Sequence, residues 1–73
     1  MNAARKLTPF GKLVVKALTD QDMTKTELAR QIQTSPAYLS FILYGYRPPG
    51  KHLPAIVSTL GLNPRAVERA LAV

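Results

Sequence analysis

The residue types that perform catalysis or bind metals are sparse in this chain. His52 is the only histidine, cysteine is absent, and no second metal-ligand residue stands at a metal-binding spacing from His52. Asp20 and Asp22 lie in a TDQD segment that is typical of a turn. No nucleophile is paired with a base, and there is no glycine-rich phosphate loop. We expect no enzymatic activity, no metal and no cofactor, and a structural or phosphate-adjacent role for His52.

The charge of the chain points to an anionic partner. Ten Lys and Arg residues stand against four Asp and Glu residues, a formal net charge of +6 in 73 residues. This balance favours nucleic acid over a membrane, although a basic chain can also be kept for solubility alone. No apolar run approaches the roughly 20 residues that span a bilayer, and none follows the basic N-terminus as in a signal peptide. We expect one soluble, cytoplasmic domain.

The middle of the chain contains the start and stop signals of two short helices. Thr24 and Glu27 have the spacing of a capping box, in which the hydroxyl caps early amides and the carboxylate reaches back. Ser35 followed by Pro36 is a second start signal, and Gly45 can take the left-handed conformation that ends a helix. Two helices separated by so short a turn cross steeply, which predicts a helix-turn-helix unit.

Three further helices frame this unit. A Thr-Pro pair at residues 8–9 starts the first helix, which should end within residues 19–22. The fourth helix should start near residue 53 and end at Gly61, and an Asn-Pro pair at residues 63–64 starts the fifth. Helical spacing predicts the buried residues: Phe10, Leu13, Val14, Ala17, Leu18, Met23, Leu28, Ala29, Ile32, Leu39, Ile42, Leu43, Ile56, Val57, Leu60, Val67 and Leu71.

The ordered set of these segments resembles the lambda-repressor-like, Cro-type (Xre) family. The resemblance rests on TPFGK in the first helix, TKTELARQI in the second, SPAYLSFILYG in the third and HLPAIVSTLGLNP from the fourth into the fifth. It implies an all-α, compact five-helix domain, here residues 8–73, with helices 2 and 3 as the helix-turn-helix. It also implies binding to double-stranded DNA with the third helix, about residues 36–44, in the major groove. Residues 1–7 lack periodicity and are predicted to form a flexible arm that could contact phosphates or a minor groove, with a frayed terminus as the alternative.

Three positions depart from the family pattern. Gln33 stands where the family usually has the glycine of the turn, so it must take a left-handed conformation at some cost or alter the turn. Leu18 and Leu43 stand where members often pair an arginine with a glutamate. Packed leucines can replace a buried ion pair without loss of stability, so we predict that these two side chains touch.

The base-reading positions of the family fall on Pro36, Ala37, Tyr38 and Phe41. None of these residues can make the bidentate hydrogen bonds to guanine or adenine that Arg, Asn or Gln make. Ala37 and Phe41 could instead pack on thymine methyl groups, while the Tyr38 hydroxyl reaches a base edge or a phosphate. Phe41 lies off the inward stripe of its helix, so we expect it to be exposed, with a core position as the alternative.

Phosphate contacts are expected from residues that flank the reading positions. Thr24 and Lys25 stand at the N-terminus of the second helix, where the amides and the helix dipole favour an anion. In the family, the segment after the third helix runs along the DNA backbone, and here it carries Arg47 and Lys51. Each of these could instead be a solvated charge, and Ser35 could be only a helix cap. The predicted phosphate-binding residues are Thr24, Lys25, Ser35, Ser40, Arg47 and Lys51.

The resemblance implies a sequence-specific regulator of the phage repressor or Cro kind. We expect such a protein to dimerise through this fold or to bind weakly as a monomer. A dimer would place its recognition helices about 34 Å apart on a near-palindromic operator. The fifth helix offers a candidate homodimer interface, or seam, formed by Val67, Leu71 and Val73. These side chains could alternatively complete the core of the monomer.

Two other functions stay open from the sequence. The fold could serve as a protein-binding module that uses Tyr38, Phe41 and Tyr44, because exposed apolar patches usually bind something. It could also be the DNA-binding antitoxin of a toxin pair. The basic charge favours DNA in both the leading and the antitoxin interpretation.

Overall fold

Five α-helices and one short 3-10 turn make up the computed structural model, which describes residues 6–72. The helices are α1 (Pro9–Asp20), α2 (Lys25–Gln31), α3 (Pro36–Leu43), α4 (Leu53–Leu60) and α5 (Pro64–Leu71). The 3-10 turn, Gly50–His52, leads directly into α4 and was not predicted. No strand occurs within residues 6–72, so the all-α prediction and the five predicted helices are confirmed for that part of the chain.

The inward faces of the five helices meet in one hydrophobic core. Its fully buried members come from α1 to α4, and Val67 closes it from α5. Leu13, Ala17, Met23 and Val57 lie at its edge and are only half-buried. The prediction that Leu71 points inward is wrong, because this residue ends α5 at the mouth of an open groove and is 41% exposed. The residues with no exposed surface are Val14, Leu28, Ala29, Leu39, Leu43 and Ile56.

α1, α2 and α3 all end in the same backbone motif. In each helix an amide donates to the carbonyl five residues earlier, at 2.8–2.9 Å, and the residue before that donor has a positive φ. This is the Schellman arrangement, which reverses the chain within two residues and so sets how steeply the next helix crosses. The donor–acceptor pairs are Met23 to Leu18, Thr34 to Ala29 and Tyr46 to Phe41, and the positive-φ residues are Asp22, Gln33 and Gly45.

Gln33 adopts the left-handed conformation, with φ at 61°, so the turn keeps its geometry without its usual glycine. A side chain with a β-carbon in this region costs about 1–2 kcal/mol. We therefore expect Gln33→Gly to raise the free energy of unfolding by about 0.5–1 kcal/mol, since the flexibility of glycine in the unfolded chain offsets part of the gain. Urea denaturation followed by circular dichroism measures the change.

Asp22→Gly is the matched control for Gln33→Gly. Asp22 occupies the equivalent position after α1, with φ at 53°, and aspartate tolerates the left-handed region better than glutamine does. The gain at position 22 should therefore be smaller. A gain at position 22 as large as that at position 33 would contradict the assignment of strain to Gln33.

Hydrogen bonds connect the C-terminus of α3 to the start of α1. Thr8 caps α1, because its Oγ1 accepts a hydrogen bond from the Gly11 amide at 3.0 Å. The same hydroxyl donates to the Leu43 carbonyl at 3.0 Å, and the Thr8 amide donates to that carbonyl at 3.1 Å. Gly11 is buried there, and a β-carbon on it would overlap the Leu43 carbonyl oxygen. This junction fixes α3 relative to the rest of the core.

Leu18 and Leu43 are both buried in the core, as the replacement of an ion pair by leucines requires. The backbone of Leu43 meets α1 at its first turn, whereas Leu18 lies about two turns further along that helix. Their direct side-chain contact therefore stays a prediction.

The predicted arm and domain boundary fall largely at the edge of the described chain. Residues 1–5 lie outside the described residues. Leu7, which the sequence assigned to the arm, is half-buried and packs against the core. The boundary between residues 7 and 8 stays a prediction.

Candidate nucleic-acid interface

The N-termini of α2 and α3 each carry a capping hydroxyl at the surface. Thr24 Oγ1 accepts a hydrogen bond from the Glu27 amide at 3.1 Å, and Ser35 Oγ accepts one from the Tyr38 amide at 3.1 Å. Both capping residues are exposed, so each hydroxyl hydrogen can still be donated to an anion. The return bond from the Glu27 carboxylate is absent from the described residues, so only the Thr24 half of the predicted capping box forms.

The outward face of α3 is apolar and aromatic. Pro36 and Ala37 are exposed at its N-terminus, and one turn further on Phe41 is 47% exposed. The exposure predicted for Phe41 is confirmed, and the alternative core position is wrong. Tyr38 is half-buried and packs against the core. Its ring also makes an edge contact with the ring of His52, with centroids 5.6 Å apart.

The segment after α3 folds back against this face. The positive φ of Gly45, 83°, reverses the chain, and the amides of Tyr46 and Arg47 donate to the Phe41 carbonyl at 2.8 and 3.3 Å. The Tyr46 ring then meets the Phe41 ring edge-on, with centroids 6.1 Å apart and an interplanar angle of 69°. Tyr46 is 54% exposed, so the two rings share an outward surface.

The sequence did not identify Tyr46 as part of this surface. For His52 it predicted only a structural or phosphate-adjacent role. Glycine after a helix was taken as a stop signal alone, yet the Schellman arrangement also brings together the residues on either side of the reversal. That geometry could have paired residue 41 with residue 46. The contact between His52 and Tyr38 depends on where the 3-10 turn lies, and no local pattern indicated that turn.

Two of the predicted phosphate-binding cations, Arg47 and Lys51, lie in a stretch of chain without acidic residues, whereas Lys25 lies two residues before the exposed Glu27. Lys25, Arg47 and Lys51 are all exposed. No aspartate or glutamate occurs in the sequence between Glu27 and Glu68, which includes α3, the segment after it and α4. Among residues 6–72 the salt bridge found is on α1, between Lys16 and Asp20, so it neutralises none of these three cations. Ser40 is half-buried, whereas the other predicted phosphate-binding residues are exposed.

A family model described as helix-turn-helix matches residues 15–67, which is most of the chain. The match includes α2, its turn and α3, and therefore the surface just described. The chain belongs to the helix-turn-helix family, in its lambda-repressor-like (Xre) branch. It is a DNA-binding regulator domain, and the family is not enzymatic. No curated protein and no solved structure matches the chain.

The helix-turn-helix protein also has an open groove of about 400 Å³ that borders the segment after α3. The groove lies between the start of α1, the segment after α3 and the end of α5, and its lining includes Pro9, Arg47 and Leu71. The predicted dimer seam is wrong at Val67, which is 5% exposed because it packs into the monomer core. Leu71 is exposed in the groove, and Val73 lies outside the described residues.

The residues that the structure describes contain neither of two other kinds of functional feature. No helix among them has the length and apolar content needed to cross a membrane. The same residues contain no group of three or more His, Cys, Asp or Glu side chains arranged to hold a metal ion.

Proposed function

We propose that this helix-turn-helix protein is a sequence-specific transcriptional regulator of the phage repressor or Cro type, acting in the cytoplasm where its DNA lies. The observation that carries the proposal is the exposed outer face of α3, flanked by cations in a stretch of chain without acidic residues. An apolar face bordered by positive charge suits a DNA groove, where bases are contacted centrally and phosphates at the rim.

In this proposal α3 lies in the major groove and reads bases through its exposed face. Pro36, Ala37, Tyr38 and Phe41 are the base-contacting residues, with Ala37 and Phe41 against thymine methyl groups. Tyr38 is held by His52 at its ring edge, so its hydroxyl is the part available for a base edge or a phosphate. Specificity then comes from methyl contacts and from DNA shape, with fewer hydrogen bonds to bases than Arg, Asn or Gln would make.

Phosphate contacts position α3 on the duplex in this proposal. Thr24 and Lys25 bind a phosphate at the start of α2, where the helix dipole adds to the attraction, and Arg47 and Lys51 bind on the other side of α3. The Ser35 hydroxyl can donate to a phosphate while it accepts the Tyr38 amide. Ser40 is half-buried, so it is the weakest of these proposed contacts.

A homodimer on a near-palindromic operator completes the proposal. Two-fold symmetry would place the two α3 helices about 34 Å apart, one turn of DNA. Since Val67 is buried in the core, Leu71 and the groove beside it are the better candidates for the seam.

Selection of duplexes from a random pool, followed by affinity measurements, tests the proposed function. We expect an enriched near-palindrome that binds at least about 10³-fold more tightly than unrelated DNA. Ala37→Glu should reduce affinity for the enriched duplex at least about 100-fold, because it places a negative charge on the exposed face of α3.

Ser58→Glu is the matched control, since residue 58 is exposed on α4 and adds the same charge outside α3. It should change affinity far less than Ala37→Glu. Absence of any enriched sequence, or equal losses for the two variants, would contradict the proposed binding mode.

A further inference from the structure

The positions of Phe41 and Tyr46 differ from those of the corresponding residues at the ends of α1 and α2. A Schellman arrangement usually packs together the two apolar residues that flank the chain reversal. After α1 and α2 the first of these residues, Leu18 or Ala29, is buried in the core. After α3 both are at the surface, with Phe41 47% exposed and Tyr46 54% exposed.

Ending α3 does not require an exposed pair of aromatic rings. Backbone amides already donate to the last carbonyls of α3: Tyr46 and Arg47 to Phe41, Gly45 to Ile42 and Thr8 to Leu43. The rings add a rigid apolar surface, because the edge-on contact limits the rotamers of both side chains. This surface adjoins Arg47 and continues the exposed face of α3, which begins at Pro36.

We propose that Phe41 and Tyr46 act as one two-ring surface that packs on thymine methyl groups, and that Tyr46 is a specificity-determining residue outside the recognition helix. This inference rests on the proposed DNA-binding function and adds to it a sequence class and a residue. The segment that carries the rings contains no acidic residue, and Arg47 and Lys51, which follow Tyr46 in the sequence, are exposed. These cations favour DNA, whose phosphates they can bind, over an apolar protein surface as the occupant.

The spacing of the rings limits which thymines they can contact. The ring centroids are 6.1 Å apart, and successive bases on a strand are about 3.4 Å apart. The two rings can therefore meet methyl groups that are one or two base-pair steps apart. Phe41 offers only apolar contact, whereas Tyr46 adds a hydroxyl to its ring.

Thymine-to-uracil substitution tests this inference, because it removes a methyl group and leaves the base pairing intact. The probe is the duplex enriched by the unchanged 73-residue chain from a random pool, with each thymine replaced in turn. For the unchanged protein we expect two thymines, at most two steps apart, where uracil weakens binding about fourfold each, the value for burying one carbon group.

Substitutions at Phe41 and Tyr46 identify which ring contacts which thymine methyl group. Phe41→Ala should bind thymine and uracil equally at one of the two positions, and Tyr46→Ala should do so at the other. Tyr46→Phe keeps the ring, so it should keep the preference for thymine while losing at most the hydroxyl contact. A purely structural role for the pair predicts instead lower stability in urea with the preference for thymine unchanged, so denaturation is measured on the same variants.

Two results would overturn the inference, and they are distinguishable. If an enriched duplex is bound and Tyr46→Ala retains the full preference for thymine at every position, the role of Tyr46 is refuted while the DNA-binding function stands. If no duplex is enriched at all, the proposed function fails as well, and the rings must serve another partner.

Discussion

Replacing Gly11 by alanine should lower the free energy of unfolding by about 2–4 kcal/mol, although alanine normally stabilises a helix by about 1 kcal/mol relative to glycine. The added β-carbon would overlap the Leu43 carbonyl oxygen and would lie only 3.1 Å from Cδ2 of Leu7. Backbone cannot yield as a flexible side chain does, so α3 must shift away from α1. The two hydrogen bonds from Thr8 to Leu43 would weaken with that shift.

This loss is large for so small a domain. A chain of this size has a total stability of roughly 4–11 kcal/mol, and each kcal/mol moves the melting temperature by about 4–8 °C. Thermal and urea denaturation should therefore show Gly11→Ala melting at least about 10 °C below the unchanged protein.

Gly61→Ala separates the steric effect from the general effect of losing a glycine. Gly61 ends α4 with φ at 64°, and a β-carbon there would meet nothing within 4 Å. Replacing Gly61 by alanine should lower the free energy of unfolding by only about 1 kcal/mol, because a residue with a β-carbon is disfavoured in the left-handed conformation. If Gly11→Ala were no more harmful than Gly61→Ala, the close approach of α1 and α3 would be contradicted.

Removal of the proposed phosphate-binding cations Lys25, Arg47 and Lys51, which form the proposed rim of the interface, should have the largest effect on DNA binding. If Lys25, Arg47 and Lys51 each neutralise one phosphate, changing all three to alanine should make the negative slope of log affinity against log salt shallower by about 2.7. At 0.1 M salt this corresponds to a loss of affinity of roughly 10²–10³-fold. Because phosphates carry no sequence information, the loss should be similar for the enriched duplex and for unrelated DNA.

The matched control removes three charges from other surfaces. Lys12 and Lys16 lie on α1 and Arg69 lies on α5, and all three are exposed. Their triple alanine variant has the same net charge as the rim variant, yet its salt slope should stay close to that of the unchanged protein. Equal slopes for the two triple variants would show that net charge alone, and not the proposed rim, attracts the DNA.

The starts of the helices were predictable because their signals are local. Thr8, Thr24 and Ser35 each cap a helix with a hydroxyl that accepts the amide three residues on. Asn63 caps α5 in the same way, through the amide two residues on. These bonds depend only on neighbours in the sequence, so residue type and spacing were enough to place them.

The sequence was less successful where exposure depends on distant packing. The helical period placed Val67 and Leu71 on the same side of α5, but only Val67 reaches the core. The helical period predicts which side of a helix a residue faces, but it does not predict where the neighbouring helix ends. For the same reason Val67 was wrongly offered as part of a dimer seam.

The sequence by itself determined the five helices, the helix-turn-helix and the basic character that suits DNA, because caps, apolar period and net charge are properties of the chain. The tertiary structure decided how α3 is presented. It placed the Leu43 carbonyl over Gly11, set His52 against Tyr38 and left Phe41 beside Tyr46 at the surface. The first two contacts join segments that are distant in sequence, so they arise only when the helices pack together. The Phe41–Tyr46 contact follows from the local chain reversal after α3, but the exposure of the two rings depends on how the other helices pack.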